Sequence, residues 1–183
     1  YVSVDPMPMN TSNNFTFSWW VNPSNINQLG IMINYGRDNG ANGNGSGIGI
    51  GKGNGGNTGA NLTMIKPGIA WVDLNYTFPS AKNWYNIIWV QRDGSTSIFV
   101  NGVNYVNKSN SVSLPNALDI GGQETVGRYF NGSIDEVMLF NTTLTDAQVR
   151  AIYKNQSSRY FGTGGGPGAV VGGFAGAAAS AGV

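Results

Sequence analysis

The chain has no cysteine and no histidine among its 183 residues. The first absence removes disulfide bridges, thiolate nucleophiles and thiolate metal ligands. The second removes the commonest general base, the commonest transition-metal ligand and the side chain that changes charge near neutral pH. Charge is also scarce, since ten Lys and Arg against nine Asp and Glu give a formal net charge of +1. Without a Lys/Arg run, neither nucleic acid nor an anionic membrane is an expected partner. No apolar stretch reaches bilayer-spanning length, because Gly and Ala dominate the one candidate near the C-terminus. One domain of this length can bury a full core without staples. The chain opens on Tyr1 rather than Met, as removal of a signal peptide, or simple trimming, would leave it.

Polarity comes instead from Asn, Ser, Thr and Gly. Acceptor sequons for N-glycosylation begin at Asn10, Asn14, Asn44, Asn61, Asn75, Asn107, Asn131, Asn141 and Asn155. With two dozen Asn and about one residue in seven Ser or Thr, chance gives roughly three or four. Asn-rich turns create some by accident, but the excess points to a secreted, glycan-coated surface.

Short segments rich in β-branched and aromatic residues recur at the spacing of a sandwich. They are Val2–Val4, Phe15–Val21, Gly30–Tyr35, Gly47–Gly51, Leu62–Lys66, Ile69–Asn75, Trp84–Arg92, Ser95–Val100, Ala117–Ile120 and Ser133–Phe140. Asp93-Gly94 and Asn101-Gly102 supply the positive φ angles of tight hairpin turns. Asp38–Gly59 is mostly Gly and Asn and reads as a rim loop holding a weak strand. After Phe140 the period changes. Thr145 and Gln148 are spaced as a capping box, and Leu144 and Val149 as a hydrophobic staple, so a short helix should start at Asp146. Beyond Tyr160 the composition shifts to GTGGGPGAVVGGFAGAAASAGV, Gly162–Val183. Ordering such a tail costs about 1–2 kcal/mol per residue in backbone entropy. Wherever it is fixed, a groove on its own domain or a neighbouring subunit must hold it. Val170, Val171 and Phe174 are the candidate anchors, and strand addition is one route.

Several of these segments together resemble the laminin-G-like domains of the concanavalin A-like lectin/glucanase superfamily. FTFSWWVNP (Phe15–Pro23) is similar to the family's early strand, and NWYNIIWVQRDGSTSIFVNGV (Asn83–Val103) to its paired middle strands. Tyr85 and Asn86 there replace the family's usual polar pair. LDIGG (Leu118–Gly122) resembles a short strand ending in paired glycines, and GSIDEV (Gly132–Val137) is the most specific element. The resemblance implies an all-β fold, a two-sheet antiparallel jelly-roll sandwich with one short C-terminal helix, over residues 1–158. Residues 159–183 then form a Gly/Ala-rich tail.

Members of this family are mostly non-catalytic; some bind glycans, some bind proteins and many bind Ca²⁺. The residues agree on the absence of an enzyme. Glutamates occur only at positions 124 and 136, and no Glu-x-Asp-x-x-Glu pattern sets two carboxylates on one strand face. Asp135 and Glu136, being adjacent, should point to opposite faces. By resemblance Asp135, with Asp5 as partner, is a candidate structural Ca²⁺ site; Asp135 could equally accept hydrogen bonds from backbone amides and need no ion. For a glycan, Trp71 and Asp73 with nearby Tyr85 are the candidate platform, while Trp19, Trp20, Trp84 and Trp89 read as core.

Two functions follow as expectations. One is a glycosylated extracellular subunit that self-assembles into a filament or coat, its tail docked on the next copy to make a homo-oligomer or polymer. The other is a lectin-like carbohydrate-binding or adhesion module at a cell surface, with a glycan as ligand.

Overall fold

The computed structural model describes residues 1–4, 14–35, 46–52, 57–66, 70–109, 117–123 and 127–161. Asp5, Asn10, Asn44 and the tail anchors Val170, Val171 and Phe174 lie outside the described residues. Two antiparallel sheets pack face to face in a jelly-roll sandwich. One sheet runs, in spatial order, through β1 (Val2–Val4), β10 (Leu118–Ile120), β3 (Gly30–Tyr35), β4 (Ser46–Lys52), β5 (Asn57–Lys66) and β6 (Ala70–Thr77). The other runs through β11 (Gly132–Phe140), β2 (Phe15–Pro23), β7 (Tyr85–Arg92), β8 (Ser95–Val100) and β9 (Val103–Ser109). The helix α1 spans Asp146–Phe161.

The alternation in β2 shows how the core is filled. Phe15, Phe17, Trp19 and Val21 face inward and meet Ile48, Ile50, Leu62 and Met64 of the opposite sheet. Trp89 of β7 sits edge-on to Phe15 at 5.1 Å and stacks on Phe17 at 5.8 Å. The intervening Thr16, Ser18 and Trp20 are buried as well, because the segment after β11 and α1 covers the outer face. Thr16 Oγ1 donates to the Thr142 carbonyl at 2.9 Å and accepts from the Leu144 amide at 3.0 Å, which pins that segment to β2.

The helix begins as its sequence signature requires. The Thr145 amide donates to Gln148 Oε1 at 2.8 Å, and the Gln148 amide returns to Thr145 Oγ1 at 3.3 Å. Leu144 and Val149 join Ile88, Val90 and Phe99 in a second apolar cluster. The helix is longer than expected, 16 residues, and runs past position 158. Its last turn carries Tyr160 onto Trp20 as a stacked pair, centroids 4.1 Å apart, with Phe161 beside them at 5.7 Å. Covering a ring of that size removes about 150–250 Å² from water, on the order of 4–6 kcal/mol before ordering costs. That contact explains why the helix continues as far as Phe161.

Both hairpin turns form, with positive φ at Gly94, Asn101 and Gly102. Strand β9 has no counterpart among the expected strands. A bulge in it breaks the two-residue period that would have marked it.

Candidate functional site

The sheets part where two edge strands, β6 and β9, face each other. A cavity of about 300 Å³ opens there, at the lower end of the range for small-molecule sites. Both strands are irregular at this point. In β6, Leu74, Asn75 and Tyr76 oppose the single residue Leu62, because Asn61 pairs with Thr77 and Thr63 with Asp73. In β9, Tyr105 is an extra residue between Asn104 and Val106, the partners of Phe99 and Ile98. Bulges bend an edge strand and re-aim its side chains. Here they bring Tyr76 and Tyr105 edge to face, ring centroids 4.9 Å apart at 73°. Tyr76 also meets Phe78 at 5.2 Å and Tyr85 at 6.4 Å.

The inner wall is fixed. Tyr85 is 2% exposed and donates its hydroxyl to the Ser80 carbonyl at 2.9 Å. Asn101, at φ 50°, accepts from the Asn86 amide through Oδ1 at 2.9 Å and donates its own amide to the Asn86 carbonyl at 2.9 Å. Behind that turn, a Cβ on Gly102 (φ +76°) would lie 3.0 Å from Tyr153 of α1, so the helix braces the cavity's floor. At the mouth Val103 and Tyr105 are 56% and 40% exposed, facing Thr77 and Pro79. Among the described residues, no Asp, Glu, Lys or Arg lines the cavity. Burial, then the Tyr85 and Tyr105 phenols, raise the Tyr76 pKa above its usual 10, so its hydroxyl keeps its proton. Tyrosines with apolar faces and polar tips, next to an amide and a hydroxyl, suit a flat ligand that has one apolar face and a rim of hydroxyls.

The expected platform is arranged differently. Trp71 lies in β6 opposite Ile65; its side chain is outside the described residues. Asp73 pairs with Thr63 and alternates with the core residue Leu74, which puts it on the outer face of its sheet. Tyr85 is in the core. The structure therefore does not bring Asp73 and Tyr85 together, and Tyr85 instead joins Tyr76, Tyr105 and Asn101, which sequence reasoning missed. A signal was present. Tyr105 and Val106 stand side by side and break the alternation of their segment. Tyr76 instead follows the regular alternation of Val72, Leu74 and Phe78 and packs against the core, so only Tyr105 was marked.

Asp135 and Glu136 do not point to opposite faces. A bulge between Asp135 and Met138, with Glu136 at φ 49°, turns both toward the end of α1. Asp135 Oδ2 accepts from the Tyr160 hydroxyl at 2.9 Å and its Oδ1 from the Glu136 amide at 2.8 Å. Glu136 pairs with Arg159 and accepts from Gln156 Nε2 at 3.4 Å. Protein donors thus engage both Asp135 oxygens. Among the described residues no group of three Asp or Glu could hold a metal ion. Of the sequon asparagines, Asn75, Asn107, Asn131, Asn141 and Asn155 are exposed. Asn14 and Asn61 are partly covered, Asn14 donating Nδ2 to Asp93 at 2.9 Å and Asn61 accepting from Thr77 at 3.0 Å.

A laminin G family model, described as concanavalin A-like lectin/glucanases superfamily, matches residues 1–150. The chain belongs to this superfamily. Three solved structures share its concanavalin A-like sandwich. Domain 4 of AbnA, an extracellular arabinanase from Geobacillus stearothermophilus solved with arabinotriose, superposes with TM-score 0.62 at 22% identity, over 81% of this chain and 70% of that one. The heptameric SAP-like pentraxin of Limulus polyphemus gives 0.61 at 14%, over 80% and 72%. The receptor-binding domain of botulinum neurotoxin D gives 0.62 at 15%, over 85% and 41%. At these identities the likeness is one of fold. No curated protein matches the sequence. Among the described residues of this concanavalin A-like chain, no helix is long and apolar enough to cross a membrane.

Proposed function

We propose that this chain is a non-catalytic, lectin-like carbohydrate-binding module of an extracellular or cell-surface protein. The observation that carries the reading is the tyrosine-lined cavity between β6 and β9. Its chemistry is that of a saccharide site: aromatic faces for the C–H side of a sugar ring, and amide and hydroxyl groups for its rim. The superfamily supports it, as does the sandwich shared with a domain solved with arabinotriose. Asp135 and Glu136 support the non-catalytic part, since contacts to α1 hold both side chains. The self-assembling subunit depends on Val170, Val171 and Phe174, outside the described residues, and no observation favours it.

The test is a glycan array probed with the purified chain, run with Ca²⁺ and again with a chelator. The expected result is selective binding to a small set of saccharides. Loss of that binding with the chelator would support an ion at Asp135 and Asp5. Binding to no saccharide under either condition rules the proposal out.

A further inference from the structure

We infer that the cavity between β6 and β9 selects uncharged saccharides, with the sugar ring laid on Tyr105 at the mouth and its hydroxyls bonded by Tyr76, Thr77 and Asn101. This rests on the carbohydrate-binding reading and adds the ligand's chemical class.

Three observations carry it. First, the lining contains no charged side chain among the described residues. A carboxylate or sulfate entering it would shed water without meeting a cation, which is strongly unfavourable. An uncharged sugar sheds only hydroxyl hydration, and the cavity can replace those bonds. Second, polar capacity is left over. No hydrogen bond among the described residues occupies the Tyr76 or Tyr105 hydroxyl, and neither is sealed from solvent. Thr77 Oγ1 donates to Asn61 and can still accept. The Oδ1 of Asn101 is committed to the Asn86 amide, which leaves Nδ2 as a donor held in a fixed place. The raised pKa of Tyr76 keeps its phenol a neutral donor in alkaline as well as neutral solution.

Third, the mouth is apolar and exposed where a ring would lie. Val103 and Tyr105 are among the few large apolar side chains at the described surface that are more than a third exposed. The bulge fixes Tyr105 against Tyr76, so its ring is already placed and little ordering cost remains for the ligand to meet. A cavity near 300 Å³ is small for this class of site, which suits one end of a chain rather than a long stretch of it.

The experiment compares matched neutral and acidic oligosaccharides, the latter sialylated or uronate-containing, by array and then by calorimetry on the full chain. Neutral sugars should bind, with affinity unchanged between low and high salt. Tyr105→Ala should weaken binding about tenfold or more with the melting temperature held, because its ring is partly in solvent. Tyr105→Phe, which keeps the ring, should retain most of the affinity. Val103→Asn, also exposed, provides a second mouth variant should Tyr105→Ala destabilise the fold, and should likewise weaken binding. Binding confined to acidic sugars overturns the inference and leaves the carbohydrate-binding reading standing. Neutral binding unaffected by Tyr105→Ala and Val103→Asn overturns the placement of the ligand. Binding to no saccharide overturns the underlying reading itself.

Discussion

Gln156 shows how a single polar residue can be required on an otherwise apolar face. It lies on the side of α1 that carries Val149, Ile152, Tyr153 and Tyr160 toward the sheet, and its Oε1 accepts from Trp20 Nε1 at 2.8 Å. Trp20 is fully buried, so its indole N–H has to find an acceptor there. Gln156→Leu makes the face more apolar yet should destabilise the protein by about 1–3 kcal/mol, the cost of an orphaned buried donor. Urea unfolding measures this, and a neutral or stabilising result would refute the assignment. The capping pair Thr145 and Gln148 was legible because its partners are three residues apart. Gln156 was not, because its partner is 136 positions away. Asp135 and Glu136 were misjudged for a related reason. A bulge built on a glutamate at φ 49° leaves no glycine to mark it.

At the scale of elements, the irregular strands hold the cavity and also hid it. Ten strands were visible from alternation and turn residues, but β9 reads VNYVNKS, where the extra Tyr105 shifts the inward parity from one side of the bulge to the other. The same extra residue is what faces Tyr76. The Asn101-Gly102 turn was legible as a hairpin, whereas its bracing by Tyr153 depended on a helix longer than its cap alone could indicate. Gly102→Ala tests that brace. A side chain at φ +76° and 3.0 Å from Tyr153 should cost about 1–3 kcal/mol and loosen saccharide binding, since the turn carries Asn101. Thermal unfolding and calorimetry on one variant separate the two effects. Ending the chain after Ser158 tests the helix end. Loss of Tyr160 and Phe161 uncovers Trp20, and a fall of at least about 2 kcal/mol is expected; unchanged stability would place the domain's end at 158 after all.

For the molecule as a whole, the superfamily was legible in segments that are each contiguous, such as FTFSWWVNP and GSIDEV. The cavity joins residues from both sheets, and no local pattern links Tyr76 to Tyr105. The same buried phenols set how the protein responds to alkali. The pKa values of Tyr35, Tyr76, Tyr153 and Tyr160 are all raised from 10, in each case first by burial. For Tyr76 the neighbouring phenols add to this, and for Tyr160 the hydrogen bond it donates to Asp135 does so. Below about pH 10 these groups are protonated in both folded and unfolded chains and stability does not depend on them. Above it the unfolded chain loses protons that the folded chain keeps, so stability falls with each further unit of pH until the folded pKa values are passed. With no histidine to titrate, the neutral range offers no comparable step. Denaturant midpoints should therefore be nearly flat between about pH 6 and 9 and drop steeply above about pH 10. Tyr160→Phe should make that drop shallower, because one of the four proton-linked groups is gone while the ring still covers Trp20. An alkaline limb as steep in Tyr160→Phe as in the parent would mean that the stacked phenol contributes nothing to it.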